Sequence, residues 1–162
     1  MAIDRGLSYA PYADVLWMET SKPDLREAKE FSEAIRREFP DKILAYNCSP
    51  SFNWSKHLTE DELRMFQVEL GRIGYMFQFV TLAGFHTINQ SMFRLATHYK
   101  DEGMLGYSTL QKDEFLLQEC SNFDAVKHQR FVGTGYFDKI QEIVTGSSTT
   151  VAMRDSTEKE QF

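Results

Sequence analysis

The stretch Ile43–Ile73, ILAYNCSPSFNWSKHLTEDELRMFQVELGRI, decides how the chain is read. It opens with an apolar run, Ile43 to Cys48, that ends in a polar loop, the pattern of a buried strand. Thr59 and Glu62 then form a capping box, in which a threonine hydroxyl and a glutamate carboxylate satisfy each other's backbone N–H groups at a helix start. Leu63, Phe66, Leu70 and Ile73 follow at the spacing of one helical face. The stretch is a strand followed by a helix, one β-α unit.

The pattern repeats on both sides. Upstream, Ala13 to Thr20 reads as a short buried strand running into polar residues. Ser21 is expected to cap the next helix, with Pro23 in its first turn, where a missing N–H costs nothing. Leu25, Ala28, Phe31, Ile35 and Phe39 supply that helix's apolar face, and Pro40 closes it. Downstream, Gly74 stops a helix, Met76 to Thr81 makes a third strand, and after Ala83-Gly84 a helix is predicted from about Thr87 to Lys100. Three successive units imply an α/β protein with a parallel sheet and helices outside it. From Met104 the strand signal disappears and two or three helical stretches follow. The tail from Gly146 is Ser/Thr-rich and charged, unable to form a core alone. Three buried parallel strands leave two unpaired edges, so further strands or further copies are required.

The bulk properties narrow the function. The 162 residues are 42% hydrophobic and 14% aromatic, a globular composition. A net charge of −6 with both signs mixed along the chain offers no basic stripe for phosphates, so no nucleic-acid partner is expected. The apolar runs are too short to span a bilayer, and no membrane partner is expected either. Cys48 and Cys120 lie far apart without metal-ligand spacing, which suits a reduced cytosolic protein.

Ligands of parallel α/β proteins bind at the carboxyl ends of the strands. There this chain places Glu19-Thr20, Asn47 to Ser51, and Thr81-Leu82. Asn47, Ser49, Ser51 and Thr81 bring one amide and three hydroxyls to a shared rim, neutral donors suited to a carboxylate or to the charge it gains beside a carbanion. Pro50 stiffens the loop. The competing reading is that such residues simply make turns and cap helices. Glu19, the one carboxylate directly at a predicted strand end, either orients a metal-bound water or pairs with a nearby Lys or Arg. Cys48 reads as an inert buried thiol rather than a nucleophile. His86 reads as a core or capping residue. Lys127-His128-Gln129-Arg130 is a basic cluster of the kind that usually forms a solvated face or a salt bridge. Gly133-Thr134-Gly135 lacks the strand and third glycine of a dinucleotide fingerprint.

The unbroken string Ala45-Tyr46-Asn47-Cys48-Ser49-Pro50-Ser51-Phe52-Asn53-Trp54 resembles the signature of isocitrate lyases. Trp17-Met18-Glu19-Thr20, Phe77 to His86, Lys127 to Arg130, Gly133 to Phe137 and Ser156 to Phe162 resemble the same family in the same order, so the likeness covers essentially the whole chain. It implies the C-terminal part of a (β/α)8 barrel. Residues 1–102 would hold its last three strands, residues 103–146 C-terminal helices exchanged between subunits of a homotetramer, and residues 147–162 a polar lid or arm. By the same likeness Asn47, Ser49, Ser51 and Thr81 match the positions that bind the substrate's carboxylates, with Cys48 and Pro50 inside that substrate-binding loop.

The reaction so implied is a Mg2+-assisted retro-aldol cleavage of isocitrate to succinate and glyoxylate in the glyoxylate cycle. The Lys-Lys-Cys-Gly-His loop that carries the family's catalytic thiol is not in this chain, nor are the metal-anchoring aspartate, the Ser-Gly-Trp loop and the mid-barrel arginine. No catalytic residue or direct metal ligand is therefore assigned here. Methylisocitrate lyases usually differ at Asn47 to Ser51, which ranks isocitrate first, although one methyl group discriminates weakly. The ending lacks a peroxisomal tripeptide, which favours a bacterial cytoplasmic enzyme.

Ala2 to Leu7 reads as the inside of a helix, which favours a fragment of a longer lyase. The alternative is a non-catalytic chain acting as an oligomerisation or interaction piece. Either way the isolated 162-residue chain is expected to be marginally stable and aggregation-prone, because its first strand has an unpaired edge. Calorimetry with light scattering checks this, and a cooperative monomeric unfolding transition would contradict it.

Overall fold

The computed structural model describes residues 1–146 and divides the chain into two compact units, Met1–Thr87 and Ile88–Phe162. In the first unit α1 (Ala2–Tyr9) and a 3-10 turn (Ala10–Tyr12) lead into β1 (Val15–Trp17). Then come α2 (Leu25–Glu38), β2 (Ile43–Asn47), the single turn α3 (Trp54–His57), α4 (Glu60–Arg72) and β3 (Phe77–Phe79). The strands form one parallel sheet in the order β1-β2-β3. Trp17 pairs with Ala45, and Ala45 with Phe77, so the strands are in step and their carboxyl ends lie side by side.

Strand alternation gives the sheet two unlike faces. Leu16, Leu44 and Tyr46 join the buried core with Phe31 and Ile35 of α2, Phe66 and Leu70 of α4, and Tyr75. Tyr46 meets Phe66 and Tyr75 edge-on at 5.8 and 5.6 Å. Its hydroxyl lies 2.8 Å from Thr20 Oγ1, and the Tyr75 hydroxyl donates to the Ala28 carbonyl at 2.9 Å, so both buried phenols have partners. Burial pushes both phenols up from their ordinary range.

The other face stays open. Val15, Trp17, Ile43 and Phe77 are 41, 56, 44 and 58% exposed, and Trp17 packs edge-on against Phe79 at 5.3 Å. Parallel strands are normally covered on both faces, whereas this apolar face is left exposed. The predicted burial of the first strand holds only for its core side, at Leu16 and Met18.

Two helix starts differ from the sequence expectation. Helix α2 is capped by Asp24, whose carboxylate accepts the Glu27 N–H at 3.0 Å, and not by Ser21. A cap at Ser21 would place Lys22, the residue before Pro23, in the helical region that proline disfavours for its predecessor. Helix α5 spans Ala83–Glu102 and begins four residues before Thr87, because the Leu82 carbonyl already accepts the His86 N–H at 2.9 Å. Gly84 falls in the first turn, where N–H groups lack helical partners in any case. The capping box at Thr59 and Glu62 is present as predicted.

Helix α5 runs on into the second unit, which contains α6 (Met104–Cys120), α7 (His128–Phe131) and α8 (Thr134–Thr145). The described residues of this unit contain no strand. The chain turns at Gly103, with φ 58° and ψ −133°, a conformation open essentially to glycine alone. It then passes so close to α5 that a Cβ on Gly106 would lie 2.6 Å from the carbonyl carbon of His98. Gly106→Ala is expected to force α5 and α6 apart at about 1–3 kcal/mol, the usual cost of overpacking. Faster amide hydrogen exchange across both helices would register it, and unchanged exchange would refute the close approach.

Candidate functional site

The open face of the sheet continues past the strands. Glu19 lies two residues beyond Trp17, Thr81 two beyond Phe79, and Asn47 ends β2 between them. Alternation therefore sends these three side chains to one rim. Asn47 is its centre: the Thr81 hydroxyl donates to Asn47 Oδ1 at 2.5 Å, and Asn47 Nδ2 donates to Glu19 Oε1 at 3.4 Å. Leu82, directly after Thr81, has φ 62°, a left-handed value that costs a branched residue about 1–2 kcal/mol. Such outliers cluster at functional sites.

Ser49, Pro50 and Ser51 form the loop beyond β2. Ser49 Oγ accepts the Ser51 N–H at 3.1 Å, and the Ser49 carbonyl accepts the Trp54 indole N–H at 3.0 Å. Trp54 in turn packs edge-on against Phe66 at 5.1 Å. A large half-buried aromatic thus ties the serine loop to the core, and the Ser49 hydroxyl hydrogen is available to a ligand.

Cys48 belongs to the opposite face. Its side chain is 3% exposed in the core, and burial pushes the thiol up from its ordinary range. It borders a cavity of about 150 Å³ lined by Trp54, Leu63, Phe66, Gln67 and Val80, on the helix side of the sheet. Its backbone stays in the loop, with the N–H donated to the Phe79 carbonyl at 2.8 Å. Pro50 is half-buried and Ser51 exposed. His86 sits in the first turn of α5, its ring edge-on to Phe85 at 5.4 Å. In the second unit Arg130 forms a 3.0 Å salt bridge with Asp124.

The sequence reading treated Asn47 and Thr81 as separate donors and Glu19 as a group apart, and missed that the three are bonded in a line. Their i, i+2 placement after paired strands was the signal. Among the described residues no group of three His, Cys, Asp or Glu side chains is disposed to hold a metal ion. Glu19 is therefore not part of such a cluster within them. Nor is any described helix long and apolar enough to cross a membrane.

The sequence profile of the isocitrate lyase family matches residues 1–162. The chain is 58% identical over 162 residues to the isocitrate lyase of Halalkalibacterium halodurans, covering 99% of this chain and 38% of that protein. It is 58% identical over 160 residues to the isocitrate lyase of Corynebacterium glutamicum, covering 99% and 37% respectively. It is also 54% identical over 161 residues to the bifunctional glyoxylate cycle protein of Caenorhabditis elegans, covering 99% and 16%. The chain thus spans less than two fifths of the length of these relatives.

The two thiols should differ in reactivity, since only the thiolate attacks and Cys48 is buried whereas Cys120 is exposed. Limited alkylation at pH 8 followed by peptide mass mapping is expected to label Cys120 first and Cys48 only after denaturation. Equal labelling in the native state would place Cys48 on the open rim instead.

Proposed function

The chain belongs to the isocitrate lyase family, and on that premise we propose that it supplies the carboxylate-binding half of an isocitrate-cleaving site. The observation that carries this reading is the polar rim, in which Glu19, Asn47 and Thr81 stand in one hydrogen-bonded line at the carboxyl end of a parallel sheet. In the retro-aldol cleavage of isocitrate to succinate and glyoxylate, negative charge accumulates on the succinate side as the carbon–carbon bond breaks. Asn47, Ser49, Ser51 and Thr81 offer N–H and O–H groups to that charge, and preorganised donors gain most where charge develops. Cys48 and Pro50 contribute their backbone to the loop that holds the serines in place.

Family resemblance adds Mg2+, which stabilises the developing glyoxylate carbonyl when bound. The described residues alone do not fit that ion, for Glu19 is the one carboxylate at the rim and magnesium takes six oxygen ligands. Its ligands and the proton-donating thiol are assigned to the part of the enzyme outside this chain. Glu19 is the group of this chain proposed to stand next to the metal's surroundings.

The open apolar face supports a barrel of which β1, β2 and β3 are the last three strands, because further strands would enclose Val15, Trp17, Ile43 and Phe77. In the second unit Phe93, Val132, Phe137 and Val144 are 76, 67, 64 and 77% exposed, which supports helices exchanged between the subunits of a homotetramer. The proposed lid, residues 147–162, lies outside the described residues. A cytoplasmic enzyme of the glyoxylate cycle is the setting this reading implies.

In the full-length enzyme carrying this chain, Ser49→Ala and Ser51→Ala should each lower kcat/KM for magnesium-dependent glyoxylate release by about 10- to 100-fold, the worth of a hydrogen bond to a charged group. The 162-residue chain alone is expected to release none, and to regain activity only when mixed with the upstream part. Unchanged kinetics in both serine variants would overturn the assignment.

A further inference from the structure

The cavity of about 150 Å³ beside Cys48 is lined by none of the rim side chains. Cys48 and Phe66, 3 and 2% exposed, form its floor, whereas Val80, 48% exposed, and the exposed Gln67 stand at its mouth. Leu63 and Gln67, one turn apart on α4, make one wall. Trp54 makes another, edge-on to Phe66 at 5.1 Å.

A buried water needs about two to four polar partners. Here the polar groups around the cavity are already engaged. The Trp54 indole N–H goes to the Ser49 carbonyl at 3.0 Å, and the Cys48 N–H goes to the Phe79 carbonyl at 2.8 Å. The Gln67 carbonyl accepts from Gln78 Nε2 at 2.9 Å. A thiol is only a weak donor, so the Gln67 amide at the mouth is the one strong polar group among the lining side chains.

We propose that this cavity is a binding site for one small apolar molecule, a single unsubstituted aromatic ring such as benzene, seated between Cys48, Trp54 and Phe66. Volume sets the upper limit. An apolar cavity of roughly 150 Å³ takes a benzene-sized guest, whereas drug-sized ligands and cofactors occupy about 300 Å³ or more. The walls set the chemical class. Two aromatic side chains offer edge and face contacts to a third ring, and the soft sulfur of Cys48 suits a ring edge. A charged guest would give up its hydration with nothing to replace it.

The test is calorimetric titration of the full-length enzyme with benzene, for which one site per chain is expected. Leu63→Phe fills the cavity from its wall and should weaken benzene binding by about tenfold or more. Leu63→Ala enlarges it and should bind naphthalene, too large for the wild-type cavity, about tenfold or more tightly than the wild type does. Should Leu63→Phe fail to fold, Gln67→Trp, a change at the exposed mouth, replaces it with the same expected loss. Saturating succinate should not displace the benzene. Displacement would put the ring at the polar rim and overturn the proposal. Unchanged benzene affinity in the filled variant, or no gain for naphthalene in the enlarged one, places the guest elsewhere and overturns it too. A wild-type enzyme that takes up no benzene also overturns it, the space then being filled by another part of the enzyme.

Discussion

The in-step parallel pairing of three strands is the constraint on which the rest depends. Because Trp17, Ala45 and Phe77 lie across from one another, the strand ends finish at a common level. Because side chains alternate, Glu19, Asn47 and Thr81 continue the face begun by Trp17, Ala45 and Phe79. A slip of one residue in β2 would send Asn47 into the helix layer and bring Cys48 to the rim. The burial of Leu44 and Tyr46 among Phe31, Phe66 and Leu70 holds the register against that slip.

The two faces of the sheet do different work. The helix side is a close-packed aromatic and aliphatic core in which Tyr75 donates to the Ala28 carbonyl and Ser32 to the Ile73 carbonyl, while Gln78 Oε1 is buried without a partner. The same side anchors the site from behind, since Trp54 packs on Phe66 while its indole N–H holds the Ser49 carbonyl. The open side carries apolar residues along the strands and polar ones at their ends, where parallel α/β proteins bind their ligands.

At those strand ends, counting donors is not enough. One amide and three hydroxyls look like an all-donor cradle, yet Thr81 gives its hydrogen to Asn47 and Ser49 accepts one from the Ser51 backbone. What a ligand meets is the set of hydrogens and lone pairs left over.

The sequence by itself determined the alternation of strands and helices, the parallel sheet, the capping box at Thr59 and Glu62, and the polar strand ends, together with the string from Ala45 to Trp54 that marks the family. These are local or periodic features, and local chemistry suffices to read them. Helix starts were less legible: Asp24 displaced Ser21 as a cap, and α5 began at Ala83, because backbone competition at a boundary turns on one or two residues. The reading of Cys48 as a buried thiol holds, whereas only the tertiary structure decided that Asn47 joins Glu19 to Thr81. These side chains are 28 and 34 residues from Asn47 along the chain, and the direction of a hydrogen bond between such distant groups exists only once strand pairing has brought them together.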